Sequence, residues 1–173
     1  MPTIGVALAI PEPWASELQD YRLSVGDTTA TMIPTHITLI PPIEVDEDDL
    51  AEVEKHLTEV ASATSAFRIH LRGTGTFRPV TEVVFVTLAV GISECELLAE
   101  AISAADDIDR DSRFPYHPHV TVAQDVSSEA LDAVFEDLAG FSARFDVDSF
   151  TLFSHGGEGP WQPRRDYPLG GLR

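Results

Sequence analysis

Two short stretches, His36-Ile37-Thr38-Leu39 and His119-Val120-Thr121-Val122, repeat the pattern His-apolar-Thr-apolar at a separation of 83 residues. Successive side chains of a strand point to opposite faces, so each stretch predicts a strand that buries its aliphatic residues and presents His and Thr together. Two such strands meeting across a cleft would supply two imidazoles for proton transfer and two hydroxyls for a phosphoryl group. A single strand histidine is more often structural, so the repetition is what favours catalysis.

The segments around the two stretches follow the same order of elements: strand, helix, motif strand, helix, strand. This order predicts sequence repeats at approximately residues 1–78 and 81–155, related by pseudo-twofold symmetry, and a C-terminal extended segment over 156–173. No linker or low-complexity run divides the chain, so we expect a single domain over 1–173.

Local signals refine this outline. Pro41-Pro42 is expected to stop the first motif strand, because proline has no backbone N–H to donate to a ladder. A helix is expected to begin near Asp46, and Ser93 with Glu96 forms a predicted capping box before another helix. Trp161 and Tyr167 in the tail favour an extended segment docked on the domain.

The composition restricts the classes of partner. The net charge is −18, from 29 acidic residues against ten arginines and the single Lys55, and such a surface repels polyanions, so broad nucleic-acid binding is not expected. The apolar stretch Ile4–Ile10 is too short to span a bilayer. One cysteine, Cys95, excludes an internal disulfide and fits a reducing compartment. We therefore expect a cytoplasmic protein without membrane association, and a monomer.

With both motifs in view, the sequence resembles the 2H phosphoesterase superfamily. Within it, the chain is most similar to the bacterial and archaeal 2′-5′ RNA ligase-like, or RNA 2′,3′-cyclic phosphodiesterase, proteins. The similarity includes Gly75-Thr76-Phe77, which resembles that family's link between halves, the segment 145–154 and Tyr167-Pro168-Leu169. The resemblance implies an α+β, duplicated two-lobed fold, in which two mainly antiparallel sheets line a central cleft with helices outside.

The residues and the resemblance together predict a metal-independent hydrolysis of 2′,3′-cyclic phosphates, with no cofactor and with reverse 2′-5′ ligation as a minor activity. In-line attack places the base and the acid on opposite sides of phosphorus, which explains two histidines on two strands. The predicted catalytic residues are His36, Thr38, His119 and Thr121. The resemblance favours His36 as acid and His119 as base, although the residues themselves do not fix the roles.

Further residues are candidates for substrate binding. A basic stripe on one strand face is expected to hold a phosphate, two aromatic side chains to stack on a base, and one histidine to contact the substrate at the rim. These residues are Arg68, His70 and Arg72; Phe77 and Tyr116; and His117. The alternatives are a solvated strand face, core packing and, for the His117–His119 pair, a metal site, for which no third ligand has a recognisable spacing.

Gln124 occupies a place where relatives of this kind often carry arginine. Together with the net charge of −18, it favours RNA ends and small nucleotides over long RNA as substrates. A second hypothesis is a hydrolase of another small cyclic phosphate, of the ADP-ribose cyclic phosphate type. A third is a non-catalytic nucleotide-binding module, although such a module has no use for two proton-transfer groups.

Overall fold

The computed structural model describes residues 2–105, 108 and 116–170. Over these residues the chain forms eight strands, four α-helices and two 3₁₀ helices, Thr28–Thr31 and Glu47–Asp49. The strands are β1 (Thr3–Ala9), β2 (His36–Glu44), β3 (Phe67–Thr76), β4 (Val83–Val90), β5 (Val120–Gln124), β6 (Ser142–Val147), β7 (Ser149–His155) and β8 (Gln162–Pro168). The α-helices are α1 (Trp14–Ser24), α2 (Leu50–Ala63), α3 (Ile92–Ser103) and α4 (Ser128–Asp137).

These eight strands form one antiparallel sheet in the order β6-β3-β4-β5-β2-β1-β7-β8. The two motif strands, β2 and β5, lie side by side at its centre and are joined by the pair Ile37–Val120. The expected α+β fold with mainly antiparallel strands is therefore confirmed. The two sheets implied by the resemblance are instead two four-stranded halves of one sheet, because the backbones of Ile37 and Val120 pair across their junction.

Each half of the sheet contains strands from both sequence repeats. β3, from the first repeat, lies between β6 and β4 in the half that contains β5. β7, from the second repeat, lies beside β1 in the half that contains β2. One cluster of buried hydrophobic residues includes members of both halves. The repeats in the sequence therefore do not coincide with the two halves of the structure.

Burial follows the predicted alternation along the motif strands. Ile37, Leu39, Val120 and Val122 are completely buried, whereas the His and Thr residues between them are half-buried on the other face. Burying one such aliphatic side chain contributes about 1.5–3 kcal/mol, so these residues anchor both strands in the core. The amphipathic helices α2 and α4 also bury one face against this core.

The prediction that Pro41-Pro42 stops the first motif strand is wrong. β2 continues to Glu44 and pairs with β1 on both sides of the prolines, through Ile40–Val6 and Ile43–Ile4. β2 advances three residues between these pairs while β1 advances two. A bulge of this kind tolerates proline because the local ladder is already interrupted.

The predicted capping box is also absent. α3 begins at Ile92, and its N-cap residue is Gly91, which makes no side-chain capping bond and has a φ of 104°. A Cβ at this position would lie 2.8 Å from Cγ1 of Ile69 and 3.0 Å from the carbonyl oxygen of Arg68. Backbone conformation and close packing against β3 therefore both require glycine here, and they set the start of the helix.

The other two local predictions agree with the structure. Asp46 caps the 3₁₀ turn Glu47–Asp49 by accepting a hydrogen bond from the backbone N–H of Asp48, and α2 follows directly. The tail is docked as predicted: β8 pairs with β7, and Tyr167 is buried against Phe150. Residues 171–173 of the predicted extended segment lie outside the described residues.

Candidate active site

The pairing of the motif strands brings their polar residues to one place. β2 and β5 are antiparallel at Ile37–Val120, so continuing this register places His36 across from Thr121 and Thr38 across from His119. All four side chains lie on the face opposite the buried Ile37 and Val120. The two His-Thr pairs therefore form a diagonal arrangement at the centre of the sheet.

Both imidazoles are oriented by the same local contact. Nδ1 of His36 lies 2.8 Å from the carbonyl oxygen of Pro34, and Nδ1 of His119 lies 2.6 Å from that of His117. A carbonyl oxygen can only accept a hydrogen bond, so each Nδ1 carries the proton and donates it. In the neutral imidazole this leaves Nε2 as the basic nitrogen in both motifs. Nε2 of His36 lies 3.0 Å from Oγ1 of Thr38.

The surroundings shift the titration of both groups. Burial lowers the pKa of His36 below its usual value of 6.5; the bond to Pro34 opposes this, and the positive charges of Arg22 and His119 lower it further. Burial likewise lowers the pKa of His119, opposed by its bond to the His117 carbonyl and aided by the charge of His117. Both imidazoles are therefore mainly neutral near pH 7.

α1 supports the segment that leads to His36. Oε1 of Gln19 accepts hydrogen bonds from the backbone N–H and the hydroxyl of Thr35, at 3.2 and 2.9 Å, and its Nε2 donates to the carbonyl of Ala30. These bonds connect the helix to the residue that precedes the motif strand. Gln19 was missed in the sequence because one polar residue on a helix carries no signal of a tertiary contact.

A buried ion pair lies in the same region. Nε of Arg22 is 3.0 Å from Oδ2 of Asp27, and both side chains are almost completely buried. Arg22 also donates to Oγ1 of Thr29, while the Asp27 carboxylate accepts from the Thr29 backbone. This ion pair holds the positive charge of Arg22 close enough to His36 to lower the pKa of the imidazole.

Aromatic rings surround His119. The ring centroids of Phe77 and Phe85 lie 5.0 and 5.1 Å from that of His119, and Phe77 is nearly perpendicular to it, at 88°. Phe85 in turn covers Gly75, where a Cβ would lie 2.7 Å from its ring. Edge-to-face packing of this kind restrains the imidazole. Phe77, predicted to stack on a base, thus contacts the catalytic candidate itself, and its contact with a substrate stays a prediction.

Tyr116 and His117, the other predicted rim residues, lie close to the motifs. The hydroxyl of Tyr116 donates a 2.7 Å hydrogen bond to the backbone carbonyl of Thr38, which links the segment before β5 to β2. The exposed His117 has its ring centroid 5.7 Å from that of His119 and also contacts Phe77. The structure therefore brings both residues to the site, while their role in binding stays a prediction.

A cavity of about 110 Å³ adjoins His36 and Thr38. Phe153 and Trp161 lie along it together with residues of β1 and β2. Trp161 is held by its backbone N–H, which donates a 2.7 Å hydrogen bond to the carbonyl of Met32. Neither aromatic residue is predicted from the sequence to lie at the site. The available signal was the position of Trp161 among glycines and prolines in the tail.

The basic stripe lies two strands away from β5, on β3. Arg68 forms an exposed ion pair with Asp146 at 3.2 Å, as the solvated-face alternative anticipates. Nε2 of His70 lies 2.9 Å from Oγ of Ser142 on β6. Arg72 is exposed and lies on the same strand face. The stripe is therefore beside the His-Thr site rather than within it.

Three further observations concern the rest of the described chain. In the described ranges, no group of three or more His, Cys, Asp and Glu side chains is arranged to hold a metal ion. A larger cavity, of about 670 Å³, lies between α2 and α3, where it is lined by His56 and mainly apolar neighbours, and none of the predicted site residues borders it. No described helix is long and apolar enough to cross a membrane.

The two His-Thr strands, paired at the centre of an antiparallel sheet, define a phosphoesterase of the 2H type. The sequence profile of the 2′-5′ RNA ligase superfamily matches residues 10–159, and the chain belongs to this superfamily. A relative from Halalkalibacterium halodurans, assigned as a phosphoesterase, is 27% identical over 168 residues and is aligned over 96% of each chain.

Solved structures agree with this fold. The crystal structure of TT0787 of Thermus thermophilus superimposes with a TM-score of 0.73 and 21% identity, covering 100% of both chains. LigT of Escherichia coli, crystallised with 3′-AMP, gives a TM-score of 0.65 and 23% identity. The superposition covers 98% of this chain and 99% of the LigT chain. These likenesses support the α+β fold described above.

Proposed function

We propose that the protein opens the 2′,3′-cyclic phosphate of an RNA end or a small nucleotide, using His36 and His119 as acid and base without a metal ion. The observation that carries this proposal is the matched orientation of the two imidazoles. Each donates from Nδ1 to the carbonyl two residues earlier, which frees Nε2 for proton transfer on the face that carries both threonines.

In the proposed reaction, water attacks phosphorus in line with the departing ribose oxygen. One neutral imidazole accepts the proton of the water, while the other imidazole, in its protonated form, donates a proton to the leaving oxygen. The P–O bond to that oxygen breaks, and the products are a ribose hydroxyl and a phosphate monoester. A 5′-hydroxyl in place of the water would give 2′-5′ ligation as a minor activity.

Thr38 and Thr121 are proposed to donate to the nonbridging oxygens of the phosphate as charge develops. The hydroxyl of Thr38 also lies within hydrogen-bond distance of Nε2 of His36, so Thr38 is proposed to orient this imidazole as well. The matched geometry of His36 and His119 allows either to act as the acid, and the two roles exchange in the reverse reaction.

The charge of the chain favours a small substrate. With a net charge of −18 and Gln124 in β5, few groups are available to neutralise a long phosphate backbone. The LigT structure contains 3′-AMP, a nucleotide of the size expected here. We further propose that the protein acts as a monomer in the cytoplasm, where its single cysteine, Cys95, stays reduced.

Hydrolysis of adenosine 2′,3′-cyclic monophosphate in the presence of EDTA tests this function. We expect turnover in EDTA, and a loss of at least ~10² in kcat for His36→Ala and for His119→Ala. His56→Gln, a histidine variant on α2 beside the other cavity, is the matched control and should retain activity.

Full activity in either alanine variant, or loss in EDTA that zinc restores, would contradict the two-histidine mechanism. Nucleotide binding without turnover would instead identify a binding module.

A further inference from the structure

The sheet face beside the His-Thr site carries a cluster of cations that spans β3 and β6. The two strands are paired in register, so that side chains opposite one another share a face, about 4.5–5.5 Å apart at Cβ. The opposed pairs on the exposed face are Arg72–Ser142, His70–Arg144 and Arg68–Asp146.

The arginines of this cluster differ in their partners. Arg68 is neutralised by Asp146. The guanidinium groups of Arg72 and Arg144, by contrast, form no ion pair or hydrogen bond with any residue in the part of the chain that the structure describes. Both side chains are exposed. The pKa of His70 is lowered mainly by burial, and the nearby charges of Arg144 and Arg72 lower it further. Two unneutralised arginines next to one another are unexpected in a chain with a net charge of −18.

The strand register places this cluster on the same face as His119. Leu71 pairs with Leu88, and both are buried, so Arg72 lies on the opposite face, which is also the face of Phe85. Phe85 contacts the ring of His119 from that face. The cluster and the candidate catalytic imidazole are therefore open to the same side of the sheet.

The separation follows from the order of the strands. His119 directly precedes Val120, which pairs with Val86 of β4. Thr87, which follows Val86, donates a hydrogen bond from its hydroxyl to the backbone carbonyl of Arg72 on β3. Arg72 is thus two strands from His119, which corresponds to about 10 Å at the usual strand spacing of 4.7–4.9 Å. Long arginine side chains can bridge much of such a gap.

We propose that Arg72 and Arg144 form a second phosphate subsite, which binds a further phosphate of a nucleotide whose reacting phosphate lies between His36 and His119. This subsite rests on the function proposed above, and it defines the substrate class as nucleotides that carry a 5′-phosphate. In an RNA end, that 5′-phosphate is the neighbouring phosphate of the backbone. The planar guanidinium fork suits a phosphate because it can donate two parallel hydrogen bonds. Arg144 was missed in the sequence because it alternates with apolar residues on a separate strand.

Equilibrium binding tests the subsite without relying on turnover. Calorimetric titrations compare adenosine 3′,5′-bisphosphate with adenosine 3′-monophosphate. We expect the bisphosphate to bind roughly tenfold more tightly, as is typical of one additional charge-assisted contact. Arg72→Gln and Arg144→Gln should each reduce this preference, and the double variant should abolish it while leaving the affinity for the monophosphate unchanged. Arg164→Gln, which removes the same charge on β8 where Arg164 pairs with Glu54, is the control.

A kinetic comparison completes the test. With adenosine 2′,3′-cyclic phosphate, with and without a 5′-phosphate, the double variant should lose only the advantage in kcat/KM of the 5′-phosphorylated substrate. Equal affinity of the wild type for the two adenosine ligands, or a preference that survives in the double variant, would overturn the subsite. Failure of the proposed reaction is a separate outcome: neither cyclic substrate would turn over, yet the arginine-dependent preference for the bisphosphate would persist.

Discussion

The hydrogen bond from Nδ1 of His36 to the carbonyl of Pro34 determines which nitrogen of the imidazole is available for chemistry. His119 makes the equivalent bond to His117, although a different segment of the chain leads to it. In each motif this bond is made to the backbone carbonyl of the residue two positions earlier, so the bond itself does not depend on which side chain that residue carries. The repeated pattern in the sequence therefore marks repeated local geometry as well as repeated residue types.

The lowered pKa values of His36 and His119 predict the pH dependence of the proposed reaction. Because kcat/KM reports the free enzyme, in which one imidazole must be protonated and the other neutral, its optimum should lie below pH 6.5. A bound phosphate anion favours the charged imidazole, so the optimum of kcat should lie at higher pH than that of kcat/KM. Rates measured across a pH series check both statements, and a kcat/KM optimum above pH 6.5 contradicts the first.

At the scale of elements, the packing of β3 against β4 controls the surroundings of His119. Gly75 leaves the space that the ring of Phe85 occupies, and Phe85 contacts His119. In Gly75→Ala, the new Cβ would displace the Phe85 ring, at a cost of about 1–3 kcal/mol in stability. Because the displaced ring contacts the imidazole, we expect kcat/KM to fall by at least ~10-fold, on the scale of a misplaced general acid or base.

Gly140→Ala is the matched control for this variant, because its Cβ would meet no atom within 4 Å. Thermal unfolding and cyclic nucleotide hydrolysis, measured on both variants, separate the two effects. Equal activity of the two alanine variants would show that the position of Phe85 does not affect His119.

β8 offers a test that concerns stability alone. The hydroxyl of Tyr167 is buried without a hydrogen-bond partner among the described residues, and burial raises its pKa to about 12. Removing an unsatisfied hydroxyl removes its desolvation cost, so Tyr167→Phe should raise the free energy of unfolding by about 1 kcal/mol. Tyr167→Ala should lower it by about 3–5 kcal/mol, because the stacked ring is lost against Phe150. Urea unfolding measures both changes, and destabilisation by Tyr167→Phe would reveal a partner for the hydroxyl.

Local alternation predicts the faces of single strands well, and it placed His36 and His119 together with their threonines. It does not predict which strands become neighbours. The local pattern of β3, which alternates, and that of β7, which buries four successive residues, indicate burial but do not specify the half of the sheet that each strand joins. The bonds from Gln19 to Thr35 and the charge of Arg22 near His36 were unpredictable for a related reason. Both depend on how α1 packs, and an isolated polar residue gives no direction for a tertiary contact.

For the whole molecule, the lowered pKa values of three histidines predict sensitivity to acid. The pKa values of His36, His70 and His119 are lowered in the folded state, so below pH 6.5 the unfolded chain binds more protons. Their contribution to stability is therefore complete above pH 6.5 and is lost as the pH falls through the folded-state values. For His36 and His119, the free energy of unfolding changes by at most about 1.4 kcal/mol per pH unit for each group.

The free energy of unfolding can be measured by urea titration at several pH values below 6.5. As the pH falls, the double variant His36→Asn with His119→Asn should lose less of this free energy than the wild type. The two proteins share every carboxylate, so effects of the −18 charge cancel in the comparison. Parallel stability curves would contradict the lowered pKa values of these two histidines.

The exchange of β3 and β7 between the halves has a consequence for how the chain can be divided. A break in the exposed connection at Val80 would separate β1, β2 and β3 from the five later strands. The first fragment would lack β7 and β8 for its own half of the sheet, and the second would lack β3. Neither polypeptide could complete a four-stranded half by itself, and so the two would reach the native structure only by complementing one another, as an obligate noncovalent pair.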